Sequence, residues 1–314
     1  MNLPDSIWKS GVVHMPTPLT GAHADQLTLN GWMNEYLTSP GSTGSIGGAG
    51  PEEARLHFVL RFLNSAARAQ YVCSDPLDEQ PEIRRMILDQ LADGRLFILD
   101  LAAGHGAATL AILAMVCQLR TAGCTPKLPI NVSISALDHS PDALVYYGQM
   151  LDHLTPWLAG MGIAVNLTTA VCDLEIAADV SAELDQFFDA ATAQGARRFL
   201  SIISAITGVG KETVEKMLDS FKVAASRLAR PDRNSSWLWI EPAVKKGWHQ
   251  VLASAIEMTL KRISHRLMKK GDAYEIYGDG PTSGKSPPRE FFWFDPHKKA
   301  TVKSGVIVVE FRNK

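Results

Sequence analysis

From residue 96 onward, short apolar runs alternate along the chain with stretches that have helical periodicity. This alternation is typical of βαβ units, which build a parallel sheet with helices on its faces. The first five predicted strands are residues 96–101, 130–137, 164–171, 199–205 and 236–240. The predicted helices between them are residues 107–122, 141–160, 178–193 and 211–229.

Two further apolar runs, residues 290–294 and 305–311, lie near the end of the chain. The segment between them is too short for a crossover helix, so we expect these two strands to be antiparallel. The sequence therefore predicts an α/β fold. Its doubly wound, mostly parallel sheet should have seven strands and end in an antiparallel hairpin.

The first 95 residues have a different texture. Residues 1–50 lack sustained periodicity, and residues 39–50 form a Gly/Ser-rich stretch that predicts a flexible linker or a lid. Helices are predicted from Pro51 and over residues 81–91. We therefore expect an N-terminal helical cap or lid over residues 1–95, followed by a ligand-binding α/β domain over residues 96–314.

The segment FILDLAAGHGAATLAIL, from Phe97 to Leu113, carries the clearest chemical signal. A buried strand reaches Asp100, a turn of small residues follows, and a helix starts at once. Gly104 and Gly106 allow the backbone to pass close to a ligand, and the first helical turn offers unpaired N–H groups. Open α/β sheets bind their ligands at this place, beyond the carboxyl ends of the strands.

The sequence LDLAAGHG resembles the first motif of class I S-adenosylmethionine-dependent methyltransferases, with Ala102 in place of the first glycine. The resemblance extends over about residues 96–312. It implies that the cofactor is S-adenosylmethionine and the product S-adenosylhomocysteine. It also implies that the turn receives the methionine end of the cofactor. The expected contacts there are Asp100, Ala102, Gly104 and Gly106.

The next strand ends extend this resemblance. Asp138, with His139 beside it, is similar to the family's acidic residue that holds the ribose hydroxyls. Asp173 is similar to the residue that accepts a hydrogen bond from the adenine amino group, and Leu174 would contact the ring. Ser204, where the fourth strand ends, should lie beside the transferring methyl group. A lone acid is more often a surface turn or a helix cap, whereas acids at three successive strand ends favour a cofactor site.

Two competing nucleotide sites are less well matched. A nicotinamide-binding GxGxxG motif would have to start at Gly104, and its last position is then Thr109. The stretch GDGPTSGKS, residues 278–286, has Asp279 where a phosphate-binding loop needs glycine. It is also followed by Pro287 and Pro288 where that loop needs a helix, so we predict an ordinary loop.

The methyl acceptor has no clear signature, and no catalytic residue can be nominated. The fourth strand lacks the Asp/Asn-Pro-Pro-aromatic motif of amino-methylating nucleic-acid enzymes, and the paired cysteines of RNA cytosine enzymes are absent. The run from Glu241-Pro242 to Gly247 and a following helix is faintly similar to methyltransferase-like proteins of small-ribosome assembly. The cysteine cluster of those proteins is missing here.

Charge is divided unevenly. Residues 1–196 contain 9 Lys and Arg against 21 Asp and Glu, whereas residues 197–314 contain 22 against 12. This asymmetry favours RNA or another anionic macromolecule as the acceptor. The basic cluster that would bind it ends a predicted helix over residues 248–270 and comprises Lys261, Arg262, Arg266, Lys269 and Lys270. These cations could instead complement the helix dipole at the end of a core-packed helix.

Two other functions stay open. A small-molecule O- or N-methyltransferase would use residues 1–95 as a lid over a closed pocket. A non-catalytic subunit of a larger assembly would bind the cofactor as a structural or regulatory ligand. Cofactor motifs alone fit all three functions.

Composition adds bounds of a general kind. Hydrophobic residues make up 46% of the chain and charged residues 20%, which is typical of a globular protein. Four cysteines have no metal-binding spacing, so we expect free thiols and no metal site. Neither a secretory signal nor an apolar stretch of membrane-spanning length is found, and we therefore expect a cytoplasmic protein with no membrane contact.

Overall fold

The computed structural model describes residues 3–39, 50–228, 233–243 and 282–313. These residues form one sheet with helices on both faces. The strands are β1 (Trp8–Lys9), β2 (Val12–His14), β3 (Gly94–Leu101), β4 (Ile130–Asp138), β5 (Ile163–Val171), β6 (Arg198–Ser204), β7 (Asn234–Pro242), β8 (Thr282–Lys285), β9 (Arg289–Asp295) and β10 (Ala300–Asn313). The helices are α1 (Thr17–Leu29), α2 (Met33–Thr38), α3 (Pro51–Ser74), α4 (Pro81–Gln90), α5 (Ala107–Thr121), α6 (Pro141–Gly160), α7 (Ala177–Ala193) and α8 (Lys211–Leu228), with a 3₁₀ turn over Ile206–Val209.

The strand order is β1-β2-β9-β10-β7-β6-β3-β4-β5, and β8 pairs with β10 off this path. The five strands β3 to β7 are parallel to one another and follow the order of a doubly wound sheet. β10 lies antiparallel between β7 and β9. The predictions of an α/β fold, a mostly parallel sheet and a terminal hairpin are confirmed.

The predicted number of seven strands is wrong. All seven predicted strands are present, but the described sheet has three more, β1, β2 and β8. β1 and β2 have two and three residues, which is too short for any alternation of polar and apolar positions to be recognised. β2 joins the sheet by pairing in parallel with β9, so the N-terminal segment contributes to the sheet.

The third additional strand lies in the stretch that was predicted to be a loop. β8 pairs with β10 at Val309 to Arg312. It lies on the same side of β10 as β9, which pairs with the earlier residues 300–306. Pro287 and Pro288 separate β8 from β9, because proline has no backbone N–H to donate to a ladder. β8 and the prolines after it form no continuous apolar run, which is why the sequence pattern indicated a loop.

Helices α1 and α2 were not predicted. α1 buries the polar side chains Thr20, His23 and Gln26 together with apolar ones, so it has no clear apolar stripe. His23 lies among aromatic rings of α3, stacked on Phe62 at a centroid distance of 5.2 Å. α1 therefore packs on α3 through contacts that hydrophobic periodicity does not reveal. The division of the chain at residue 95 stays a prediction.

The two faces of the sheet carry separate cores. Along β3, Leu96 and Ile98 belong to the core under α1, α3, α4, α5 and α6, whereas Phe97 and Leu99 belong to the core under α7 and α8. This alternation follows from the two-residue period of a strand. Asp100 continues the first set, so its side chain points toward α5 and α6.

Several sequence expectations have plain outcomes in the structure. The four cysteines are free thiols, and three of them are buried. None of the described helices is long and apolar enough to cross a membrane. The predicted helix over residues 248–270, with its basic cluster, lies outside the described residues, as does most of the Gly/Ser-rich stretch 39–50.

Candidate functional site

A cavity of about 560 Å³ opens at the carboxyl ends of β3, β4, β5 and β6. This volume lies within the range of about 300–1,000 Å³ that is usual for small-molecule sites. The chain leaves β3 toward one neighbour, β4, while β6 lies on its other side, so the cavity occupies the switch point of the sheet. Residues from α3, α8 and the 3₁₀ turn complete the walls.

The structure brings most of the predicted site residues together. Eight of the nine line the cavity: Asp100, Ala102, Gly104, Asp138, His139, Asp173, Leu174 and Ser204. Gly106 is not part of the lining. Strand ends that are far apart in sequence meet here because parallel strands end at the same edge of a sheet.

The turn between β3 and α5 has three residues with positive φ. Ala102 and Gly104 both have φ of 52°, and Gly106 has φ of 70°. A Cβ added at Gly104 would meet no atom within 4 Å, so its open side is available to a ligand. A Cβ added at Gly106 would lie 2.2 Å from the ring of Tyr147. Packing against Tyr147 therefore requires a glycine at position 106, and the role of Gly106 as a cofactor contact stays a prediction.

Asp138 joins two parts of the site. Its Oδ2 accepts a hydrogen bond from the backbone N–H of Gly104 at 2.8 Å, and its Oδ1 accepts one from the backbone N–H of Ser140 at 2.9 Å. Nδ1 of His139 lies 3.5 Å from the same Oδ1. Burial raises the pKa of Asp138, against the lowering effect of these hydrogen bonds. A carboxylate oxygen can accept more than one hydrogen bond, so each keeps capacity for a ligand hydroxyl.

Asp100 is more deeply enclosed. Its Oδ2 accepts hydrogen bonds from Thr109 at 2.6 Å and from the Tyr147 hydroxyl at 3.1 Å. The pKa of Asp100 is raised to about 7. Burial is the main cause and the nearby charge of Asp138 adds to it, whereas the two hydrogen bonds act to lower the pKa. A cationic ligand near this carboxyl group would stabilise its charged form, and the carboxylate would in turn stabilise the bound cation.

The two residues after β5 have different surroundings. Asp173 is exposed, and its Oδ1 accepts a hydrogen bond from the backbone N–H of Glu175 at 2.9 Å. Leu174 is buried, and its carbonyl oxygen accepts a hydrogen bond from the hydroxyl of Ser220 on α8 at 2.7 Å. An apolar side chain beside an exposed carboxylate suits a flat ring that has a polar edge.

Beyond β6, the backbone is held by a residue from β7. Ser204 ends the strand partly exposed, Ala205 has φ of 58°, and the backbone N–H of Ile206 donates to Oε1 of Glu241 at 3.0 Å. The indole N–H of Trp239 donates to the same oxygen at 2.7 Å. Sequence reasoning noticed Glu241 only as part of a Glu-Pro pair and missed this supporting role.

Helix α3 adds a wall that sequence reasoning missed. Glu53, His57 and Ser65 line the cavity from this helix. Arg68, one turn beyond Ser65, is buried and donates to its hydroxyl at 3.4 Å. The signal in the sequence is a polar stripe at positions 53, 57, 61, 65 and 68 of the predicted helix. Such a stripe facing inward indicates a site, because buried polar side chains need partners.

His57 also contacts the turn after β3. Its Nδ1 lies 3.2 Å from Nδ1 of His105, the residue between Gly104 and Gly106, and the two rings are stacked. Nε2 of His105 lies 2.9 Å from the carbonyl oxygen of Ala54. Among the described residues, no group of three or more His, Cys, Asp and Glu side chains could hold a metal ion.

No family model and no curated protein sequence matches the chain. Solved structures with a similar fold include a precorrin-6y C5,15-methyltransferase from Geobacter metallireducens, at 14% identity and a TM-score of 0.37 over 74% of this chain and 88% of that one. A Pyrococcus horikoshii protein described as an RNA methyltransferase has 12% identity and a TM-score of 0.36 over 79% and 83%. The plantazolicin methyltransferase, in complex with S-adenosylhomocysteine, has 11% identity and a TM-score of 0.31 over 84% and 98%.

All three of these structures are named as methyltransferases. Because their TM-scores are below 0.5, the likeness carries no argument about the reaction or the acceptor. The function must therefore be argued from the topology and the cavity of this chain.

Proposed function

We propose that this protein binds S-adenosylmethionine in the cavity at the ends of β3 to β6 and transfers its methyl group to an acceptor. One observation carries the proposal. The open Gly104 turn and the acids Asp100, Asp138 and Asp173, from three successive strand ends, line the same cavity.

The lining residues suit the three parts of this cofactor. The open side of Gly104 would receive the methionine end, and the buried Asp100 would favour its positive charge. Asp138 would accept hydrogen bonds from the ribose hydroxyls, and Leu174 would contact the adenine ring beside Asp173. The bound sulfonium supplies an already activated methyl group, so orientation and exclusion of water provide much of the catalysis.

The antiparallel β10 separates this fold from the nicotinamide-binding alternative. A nicotinamide-binding sheet of this kind has six parallel strands and a GxGxxG turn. Here β10 lies antiparallel between β7 and β9, and a GxGxxG motif that starts at Gly104 has Thr109 at its last glycine position. Both differences favour the methyltransferase proposal.

For the acceptor, the described residues favour a small molecule. Glu53, His57 and Ser65 of α3 close one side of the cavity, which leaves room for a compact acceptor next to Ser204. RNA is the second candidate, and the observation in its favour is the excess of cations over residues 197–314. A subunit that binds the cofactor without turnover is the third possibility, and activity measurements test it directly.

Isothermal titration calorimetry of the full chain tests the cofactor proposal. We expect S-adenosylmethionine and S-adenosylhomocysteine to bind with one site each, and NADH to give no heat of binding. Mass spectrometry of the ligand that copurifies with the protein provides an independent reading. Binding of NADH in place of both sulfur compounds would overturn the proposal.

A further inference from the structure

The contact between His57 and His105 determines which ring nitrogens carry protons. Nε2 of His105 lies 2.9 Å from the carbonyl oxygen of Ala54. A carbonyl oxygen only accepts hydrogen bonds, so Nε2 of His105 must carry the proton. A neutral imidazole has one N–H, which leaves a lone pair on Nδ1 of His105.

The same reasoning extends to the second ring. Nδ1 of His57 lies 3.2 Å from the Nδ1 lone pair of His105, so Nδ1 of His57 must be the donor. Nε2 of His57 then carries a lone pair. The backbone of α3 at Ala54 thus sets the protonation of both rings through one chain of hydrogen bonds.

Both rings are neutral near pH 7. Burial, together with the guanidinium groups of Arg61 and Arg68, lowers the pKa of His57 to about 4. Burial and the neighbouring His57 also lower the pKa of His105. A neutral His57 has its basic lone pair available at physiological pH.

The lone pair on His57 faces accessible space. Within the described residues Nε2 of His57 has no hydrogen-bond partner, and it is not among the buried unpaired atoms. The ring is partly exposed and lines the cavity. His105 stands in the turn after β3, so His57 lies one ring away from the backbone that would receive the methionine end of the cofactor.

We propose that His57 is the general base for the methyl acceptor, that His105 fixes its tautomer, and that the acceptor is a small phenol or enol. This inference rests on the proposed function and names its acceptor class. A neutral amine can attack a methyl group before it loses a proton, whereas a hydroxyl oxygen becomes a good nucleophile only as its proton leaves. A weakly basic imidazole assists proton removal best at the most acidic hydroxyls, and phenols and enols are more acidic than alcohols.

The step balances within the site. The hydroxyl proton passes to Nε2 of His57, and the electron pair of the O–H bond stays on oxygen. This oxygen forms the new bond to the methyl carbon, while the electron pair of the carbon–sulfur bond leaves with sulfur to give S-adenosylhomocysteine. His57 becomes an imidazolium whose Nδ1–H is still bonded to His105, and it returns its proton to water when the product leaves.

Nitrogen-15 NMR of histidine-labelled full-length protein tests the tautomers without any turnover. His57→Gln and His105→Gln variants assign the ring resonances. We expect the protonated nitrogen to be Nδ1 in His57 and Nε2 in His105. A protonated Nε2 in neutral His57 would overturn the proposal, since this atom would then have no lone pair.

Ligand binding tests the role of Nε2. We expect 4-nitrophenol, added to the complex with S-adenosylhomocysteine, to shift the Nε2 resonance of His57. The binding should weaken at least tenfold in His57→Gln and be unchanged in His153→Gln, a control on the exposed side of α6. Equal binding to all three proteins, or none to the wild type, would overturn the acceptor assignment.

Turnover completes the test. With catechol and 4-nitrophenol as probes, formation of S-adenosylhomocysteine should fall about 100-fold or more in His57→Gln, which is the usual effect of losing a general base. Calorimetry on each variant first establishes that S-adenosylhomocysteine still binds. Failure of that binding in the wild type would count against the proposed function itself. Normal cofactor binding with no phenol methylation, or with full activity in His57→Gln, would overturn only the present inference.

Discussion

The backbone N–H of Gly104 donates a hydrogen bond to Oδ2 of Asp138 over 2.8 Å and thereby joins the turn after β3 to the end of β4. The same carboxylate also accepts from the backbone N–H of Ser140. Asp138 therefore shapes the turn as well as lining the cavity. A substitution at this position changes the site and the stability of the fold together, and the two effects need to be separated.

Asp138→Asn and Asp138→Ala separate these effects. Both variants remove the charge and should weaken binding of S-adenosylmethionine and S-adenosylhomocysteine by about 1.5–3 kcal/mol in calorimetry. Asparagine keeps one acceptor oxygen for a backbone N–H, whereas alanine leaves two N–H groups unpaired. Asparagine still leaves the other N–H unpaired, so we expect both variants to lower the free energy of unfolding by about 1–3 kcal/mol for each unpaired N–H, and alanine to lower it more. Asp142→Ala, outside the cavity lining, is the control, and unchanged affinity in Asp138→Asn would contradict a ribose-binding role.

Alanine at Gly104 should mainly weaken cofactor binding, whereas alanine at Gly106 should mainly lower the stability of the fold. Gly104→Ala adds a methyl group to open space, so we expect a stability loss of only about 1–2 kcal/mol from the positive φ. Its Cβ would occupy the cavity, and cofactor affinity should fall about tenfold or more. Gly106→Ala would drive a Cβ into the ring of Tyr147 and should cost about 3 kcal/mol or more.

Chemical denaturation and calorimetry on both glycine variants check this contrast. Gly104→Val, with its larger and branched side chain, should abolish binding while the protein still folds. Normal cofactor affinity in Gly104→Val would place the ligand elsewhere. A stable Gly106→Ala protein would mean that Tyr147 can move away from the turn.

The core of the fold was predictable because its strands have seven to nine residues and most of them are largely buried. β3 to β7 and the helices between them were located within a few residues from apolar runs and helical periodicity. β1 and β2 were missed because each is shorter than the window in which alternation can be recognised, and β8 was missed because it has no apolar run. α1 was missed because Thr20, His23 and Gln26 face inward and interrupt its apolar stripe.

The site was predictable only where a residue follows directly from a strand. Asp100, Asp138 and Asp173 could be placed together because parallel strands end at one edge of the sheet. The position of α3 depends on how it packs on α5 and the sheet, which no local pattern specifies. His57 was therefore missed, although its position in a polar stripe along the predicted helix was visible.

The buried carboxyl group of Asp100 should make stability depend on pH. Its pKa is raised to about 7, so between about pH 4 and pH 7 the folded protein holds a proton that the unfolded chain has lost. Stability contributed by this group is present at low pH and falls as the pH rises. The difference from the ordinary aspartate pKa of 3.8 corresponds to as much as about 4 kcal/mol.

Asp100→Asn isolates this effect, because the amide oxygen can still accept from Thr109 and Tyr147. We expect the unfolding free energy of the wild type to fall relative to that of the variant between pH 4 and pH 7. The lowered pKa values of His23 and His57 act in the opposite direction over part of this window, but they are common to both proteins and cancel. Parallel stability curves would show that Asp100 keeps an ordinary pKa.

The acceptor can be tested through the basic cluster that the sequence predicts outside the described residues. If RNA is the acceptor, phosphate contacts will release counterions, and affinity should fall steeply as salt is raised. The variant for this test reverses the charge at Lys261, Arg262, Arg266 and Lys269. Four lost phosphate contacts should flatten the plot of log affinity against log salt by about 3.

A matched control keeps the same change in net charge. It reverses four exposed cations at other places on the chain, Lys9, Arg85, Lys127 and Lys222. Filter binding of total cellular RNA at about 50 and 200 mM salt compares the three proteins. If the acceptor is a small phenol or enol, wild-type retention should be weak and indifferent to salt, and both variants should methylate catechol at the wild-type rate. Strong, salt-sensitive retention that only the first variant loses would make RNA the preferred acceptor and would leave the helix α3 side of the cavity without the role proposed for it.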